Sequence, residues 1–264
     1  MRNIFVEGIQ GSGKSTLLSK INKGCPELKI IKEGDYSLVD LAWQTYMDKP
    51  DYQKLVDKYP DLKDEILKNT FIEDEKYIIT YTKIRTSNWT FYQDAERFEI
   101  YNKRKSLDEM KKIILKRYRN FFLEENESYL FECSFLQNIV EDLILFHCLS
   151  DDEIVSFYRE LYSLVNDKFL LIYIASDDLE ANFNVIRHER VDDKENEAWY
   201  NSMMDYFSNS PYVKKNPTVS LLEHFSHRQL LELRIINEVI KEKAIVVKSK
   251  NYDIEGIRRV IDNE

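Results

Sequence analysis

The sequence predicts an α/β fold built on a doubly wound parallel sheet of about five strands, and three observations carry that prediction. The apolar run Ile4-Phe5-Val6 leads into a glycine-rich stretch, residues 8–16, after which Leu17, Leu18 and Ile21 recur at helical spacing. Later apolar runs at 129–131, 169–174 and 244–247 are continuous rather than alternating, as strands covered on both faces require. Segments of helical period separate these runs, and the six glycines and five prolines in 264 residues gather into no linker. A single domain over 1–264 is therefore expected, with more helix than strand.

The first strand feeds Gly8-Ile9-Gln10-Gly11-Ser12-Gly13-Lys14-Ser15-Thr16, which has the spacing G-x-x-x-x-G-K-[ST] of a phosphate-binding P-loop. Glycines let the backbone curl so that successive N–H groups point inward at a phosphate, and a helix starting near Lys14 adds its positive end. The Lys14 ammonium reaches the outer phosphates, and Ser15 is placed to bind Mg²⁺. Gly8, Gly11, Ser12, Gly13, Lys14, Ser15 and Thr16 are thus expected to hold ATP with its Mg²⁺.

A second short strand at 28–32 ends at Glu33-Gly34-Asp35, where two carboxylates follow a strand's carboxyl end and either could accept a proton. From Leu41 to about Tyr118 the pattern is helical, with breaks near Pro50, Pro60 and residues 85–88. This enlarged helical region, 41–118, is rich in aromatic residues: Tyr36 just before it and Trp43 within it could stack a flat ring, while Gln93 and Arg97 could read that ring's polar edge. Aromatic residues at helical spacing also pack helices together, so only one or two are expected to touch a ligand.

The third strand, 129–131, runs into Glu132-Cys133-Ser134, which puts the Glu132 carboxylate where it can meet a metal directly or through its ligands. The fourth, 169–174, is followed by a helix at 178–188 and the charged run Arg187-His188-Glu189-Arg190 with acidic residues behind it. The spacing of three places the guanidinium groups of Arg187 and Arg190 on one helix face, where they could clamp a phosphate. Residues 187–215 read as a lid and an insertion after it that could cover a substrate or form a dimer surface. The last strand, 244–247, is followed by residues 249–253, a candidate adenine contact by position, and by a helix at 254–261.

A net charge of −9 and a pI near 5.2 argue against a nucleic-acid partner. Cys25, Cys133 and Cys148 form neither a disulfide pattern nor a zinc pattern and fit a reducing compartment. With no long apolar span and no leader before the first strand, a cytoplasmic protein with no membrane partner is expected.

Four segments resemble the P-loop kinases of nucleosides and nucleotides, the deoxynucleoside kinase and thymidylate kinase group: Phe5-Val6-Glu7-Gly8 entering the loop, Glu33 with Trp43 downstream, Phe131-Glu132-Cys133-Ser134, and Arg187-His188-Glu189-Arg190. The resemblance implies a nucleotide kinase-like P-loop NTPase fold and Mg²⁺-dependent transfer of a phosphoryl group from ATP to a nucleoside or nucleoside monophosphate. It gives Lys14, Arg187 and Arg190 roles in catalysis and makes Glu33 or Asp35 the base. Gly34 replaces the usual proline, and Cys133 stands where the group has an arginine, so Arg85, Arg97 or Arg104 could supply that charge. Two alternatives stay open: a kinase for another hydroxylated metabolite or an antibiotic, and an ATP-dependent switch that signals through 41–118.

Overall fold

The structure, a computed structural model, describes residues 2–125, 127–191 and 196–262. Strands lie at β1 (Asn3–Gly8), β2 (Lys29–Ile31), β3 (Thr70–Glu73), β4 (Lys76–Ile79), β5 (Tyr129–Glu132), β6 (Phe169–Ala175) and β7 (Ala244–Lys248). The chain divides into two compact units, one formed by residues 1–30 with 124–264 and the other by residues 31–123.

The first unit is a mixed α/β structure around a five-stranded parallel sheet in the order β2-β5-β1-β6-β7. β1 runs parallel to both neighbours, with Phe5 opposite Phe131 on one side and Leu171 on the other. Every residue of β1 is buried, which explains why its sequence is apolar without alternating. Side chains of successive residues nevertheless point to opposite faces. Ile4 and Val6 pack with Leu17, Leu18 and Ile21 of the helix Lys14–Gly24 and with Ile257 of the helix Ile254–Asp262. Phe5 faces the other way, stacking on Phe131 with ring centroids 4.7 Å apart and meeting Phe135 at 5.8 Å. Phe135 in turn meets Tyr158 of the helix Asp151–Tyr162. Helices therefore cover both faces. Each fully buried Leu or Ile in these layers contributes about 1.5–3 kcal/mol relative to exposure.

Two helices on the Phe5 side start with matching signals. Ser150 and Glu153 form a capping box at Asp151–Tyr162, and Ser220 and Glu223 form another at Leu221–Ile235. Each such cap is worth about 1 kcal/mol. Among the described residues no helix is long and apolar enough to cross a membrane.

The second unit holds most of the region whose period reads as helical. Helices span Lys49–Lys58, Lys63–Lys68, Trp89–Glu96 and Leu107–Glu124. Pro50 lies in the first turn of its helix rather than breaking it, because a proline's missing N–H is unpaired there in any case. Residues 70–79 differ from the helical expectation: β3 and β4 form an antiparallel hairpin, with Thr70 opposite Ile79 and Glu73 opposite Lys76. Asp74 and Glu75 turn the chain with φ of 46° and 67°, the paired left-handed conformation of a two-residue hairpin turn. Glu75 stands where a glycine usually follows the aspartate of such a turn. Tyr59, Ile66, Ile79, Tyr81 and Phe91 anchor this unit's own apolar cluster.

Candidate functional site

Chain order around the five-stranded sheet explains why a site is sought where β1 ends. From β1 the chain moves to β2 and back to β5 on one side, then crosses to β6 and β7 on the other. The order reverses at β1, and ligands of open parallel sheets bind outside the carboxyl ends of the strands at such a reversal. Gly8 is the last residue of β1.

Gly8 has φ of 144°, and a Cβ there would lie 2.6 Å from the Ile174 carbonyl oxygen and 2.8 Å from Ser12 Oγ. The loop can leave the sheet along this path only with glycine. At the other end Gly13, with φ of 98°, caps the helix Lys14–Gly24 with no side chain on its first amides. That helix also carries no carboxylate in its first turn, so its positive end is uncompensated by its own residues. Gly11 lies against the helix Leu179–Glu189, where a Cβ would meet the Asn182 carbonyl oxygen at 2.7 Å.

Lys14 is 8% exposed, and its ammonium donates to the carbonyl oxygens of Gly8 at 2.9 Å and Ile9 at 3.0 Å. Ser15 Oγ donates to Glu132 Oε1 at 2.5 Å across 117 residues of sequence. Glu132 closes β5, which the β1 register holds beside the loop through Val6. Next to it Cys133 is fully buried with φ of 60°, its N–H donating to the Val6 carbonyl at 3.1 Å. Thr16 is exposed on the first turn of the helix. Ser12 is buried, and its carbonyl accepts from Ser249 Oγ at 2.9 Å. Ser249, just past β7, thus touches the loop, while the rest of 249–253 makes no such contact to it.

Glu7, one residue before the loop, is buried on the Phe5 side of the sheet. Its carboxylate accepts from the N–H groups of Phe135 at 2.6 Å and Gln137 at 3.0 Å. Burial pushes its pKa up to about 7 against those hydrogen bonds, and Glu232 adds to the rise.

Arg187 lies on the helix Leu179–Glu189, whereas Arg190 is its C-cap, so the two guanidinium groups do not share a regular helix face. Arg187 makes a two-pronged contact with Glu197, at 2.6 and 2.7 Å, and its guanidinium carbon lies 3.9 Å from the Tyr200 ring centroid. Arg190 lies 4.7 Å from the Trp199 ring centroid. Residues 192–195, which hold the acidic residues behind Arg190, lie outside the described residues.

The remaining sequence candidates belong to the second unit. Glu33 is exposed and accepts from Trp43 Nε1 at 3.1 Å. Asp35 accepts from the Lys32 N–H at 2.8 Å and pairs with Lys83 at 2.5 Å. Tyr36 stacks on Phe71, ring centroids 3.8 Å apart, and donates to Glu73, so it serves packing. Gln93 is exposed, and Arg97 sits 3.6 Å from Asp94. Arg104 pairs with Glu96, and Arg85 is exposed.

A residue the sequence reading passed over is Arg228, which is 0% exposed on the helix Leu221–Ile235 and donates to Gln10 in the glycine loop at 2.6 Å. Its neighbours His227 and Gln229 make the stretch look like a solvated face, so periodicity gave no signal. Glu141, which accepts from Arg228 at 2.6 Å and pairs with His224, was passed over for the same reason.

No family model matches the chain, and no curated protein does. Among solved structures, an uncharacterized protein from Eubacterium ventriosum ATCC 27560 aligns over 100% of both chains at 12% identity with a TM-score of 0.34. A likeness at that level carries no argument about fold or activity.

Proposed function

We propose that this protein is a P-loop kinase of the nucleoside and nucleotide kinase kind, moving the γ-phosphoryl group of ATP to a hydroxyl of a small molecule, a nucleoside or nucleoside monophosphate first among the acceptors. The observation that carries the reading is the Ser15–Glu132 hydrogen bond on the first turn of the helix that Lys14 begins. Phosphoryl transfer asks a protein mainly to hold phosphates and to compensate their charge. Lys14 would exchange the neutral carbonyls of Gly8 and Ile9 for charged phosphate oxygens, which are stronger acceptors. Mg²⁺ supplies further charge compensation when bound. It suits Ser15 and Glu132, since it takes oxygen ligands, keeps several waters and needs only one or two protein groups.

Of the two candidate bases, we favour Glu33. Asp35 is committed to the Lys83 ammonium and the Lys32 N–H, whereas the exposed Glu33 accepts one neutral indole N–H. Arg187 and Arg190 are assigned to the charge on the transferring group, with their aromatic neighbours Tyr200 and Trp199 holding the guanidinium planes. A cytoplasmic setting, where ATP is plentiful, follows from the same reading.

Mg²⁺-dependent ADP formation across nucleosides, nucleoside monophosphates and hydroxylated antibiotics tests it, with Lys14→Ala as the blank. An acceptor that raises turnover well above the hydrolysis background, in the wild type only, supports a kinase and names its substrate class. A Lys14→Ala loss on the order of 10²-fold or more is expected, as for removal of a preorganised donor to transition-state charge. Slow hydrolysis that no acceptor stimulates would count against transfer and favour an ATP-dependent switch.

A further inference from the structure

Under the glycine loop lies a buried arginine that phosphate binding by the loop does not by itself require. Arg228 donates from Nη2 to Gln10 Oε1 and from Nη1 to Glu141 Oε2, both at 2.6 Å. Its Nε lies 3.2 Å from Glu232 Oε1. Glu141 also meets His224 Nε2 at 2.9 Å, and Glu232 accepts from the Tyr173 hydroxyl at 2.6 Å. Burying a guanidinium is costly unless its donors are met, and apolar residues of the same volume often pack as well. Packing alone therefore does not account for Arg228.

Gln10 stands between Ile9 and Gly11, in the loop itself, and is half-buried. A guanidinium has donors only, so the Gln10 amide has to turn its oxygen toward Arg228. Its Nε2 has no protein partner among the described residues and keeps both N–H donors. An untethered amide would present its oxygen as readily as its N–H₂, and an oxygen facing a phosphate is repulsive.

We propose that Arg228 is a positioning residue: by holding the Gln10 carbonyl oxygen it fixes the amide so that the loop offers N–H donors to a bound nucleotide phosphate. The inference rests on the phosphate-binding part of the reading above and not on the identity of the acceptor. The same helix also reaches Ser176 through Gln229, at 2.8 Å from the Ser176 N–H, and Phe183 through Phe225, ring centroids 5.8 Å apart. Arg228 is thus anchored on both sides of the contact it makes.

The test is affinity for a fluorescent ATP analogue with Mg²⁺, measured on the full chain as wild type, Lys14→Ala, Gln10→Met, Arg228→Lys and the Gln10→Met/Arg228→Lys double variant, with Tm recorded for each. Gln10→Met keeps the side chain's length and removes both its acceptor and its donors. It is expected to weaken binding by roughly tenfold, the size of one hydrogen bond to a charged group, and to lower Tm, since a buried Arg228 donor loses its acceptor. Arg228→Lys is expected to weaken binding similarly, and the double variant no further, because both changes break one link. Losses that add in the double variant, or Gln10→Met binding like the wild type, would overturn the proposal. If Arg228→Lys does not fold, Gln10→Met decides alone. Wild type binding no better than Lys14→Ala would bring down the phosphate-site reading itself, whereas binding lost in Lys14→Ala but kept in Gln10→Met would bring down only the role of Arg228.

Discussion

Two carboxylates in this chain follow short apolar strands, Glu132 at the end of β5 and Glu33 just past β2, and the structure treats them in opposite ways. Glu132 is 7% exposed, and its partner Ser15 lies 117 residues away, brought to it by the register of β5 on β1. Glu33 is exposed on a turn, and its partner Trp43 is ten residues away. The first is fixed by the sheet and cannot move without disturbing the core. The second is held by one local contact and is free to exchange it. A metal-facing group profits from the first arrangement and a proton acceptor from the second, because a ligand must be preorganised while a base must change partners during the reaction.

The sharpest way to break that contrast is to neutralise the mobile carboxylate. Glu33→Gln is expected to lower turnover by roughly 10²–10⁴-fold at unchanged Tm, the range for loss of a general base, while Asp35→Asn is expected to disturb the Lys83 contact more than the rate. Equal rates for Glu33→Gln and wild type would remove Glu33 from the chemistry. A smaller effect is expected at the fixed carboxylate. Glu132→Gln should raise the Mg²⁺ concentration needed for half-maximal activity by about 10–100-fold, since Ser15 loses the group that orients it. An unchanged Mg²⁺ requirement would confine Glu132 to the core.

The smallest effect concerns the ground on which the fixed group stands. Glu7 lies in β1 beside the loop, and burial pushes its pKa from 4.5 up to about 7. Between those values the folded protein keeps a proton that the unfolded chain has released, so this group lowers stability as pH rises through that window. The slope from one group is at most about 1.4 kcal/mol per pH unit. Melting temperature measured from pH 4.5 to 7 should therefore fall less steeply in Glu7→Gln than in wild type. Glu141 behaves in the reverse sense. Burial alone would raise it, but Arg228 and His224 outweigh burial and hold it down to about 2, so its contribution is present above pH 4.5 and is lost as pH falls toward 2. Parallel melting curves for wild type and Glu7→Gln would show that Glu7 is ionised throughout.

Much of the first unit was legible in the sequence because its central strands β1, β5 and β6 are buried on both faces and must be apolar throughout. All five parallel strands overlap the apolar runs at 4–6, 28–32, 129–131, 169–174 and 244–247. The glycine loop was legible for a related reason: left-handed backbone at Gly8 and Gly13 restricts those positions to glycine. The second unit was less legible. Its hairpin turns on Asp74 and Glu75 with no glycine after the aspartate to mark the turn, and Tyr77-Ile78-Ile79 sits inside a longer stretch of helical period. Tertiary contacts, Met47 pairing with Tyr77 and Thr45 Oγ1 accepting from the Ile79 N–H at 2.8 Å, select the strand there. Arg228 was illegible because an arginine among polar neighbours, with Glu232 one turn away on the same helix, reads as solvated, and only the fold supplies Glu141 and Gln10 as partners from distant segments.

Following label from the γ-phosphate of ATP in the presence of the best acceptor of the panel separates transfer from hydrolysis. A kinase places the label in a phosphate ester of the acceptor, so that product is expected from the wild type and not from Lys14→Ala. Label recovered from the wild type only as inorganic phosphate, whatever the acceptor, would contradict it.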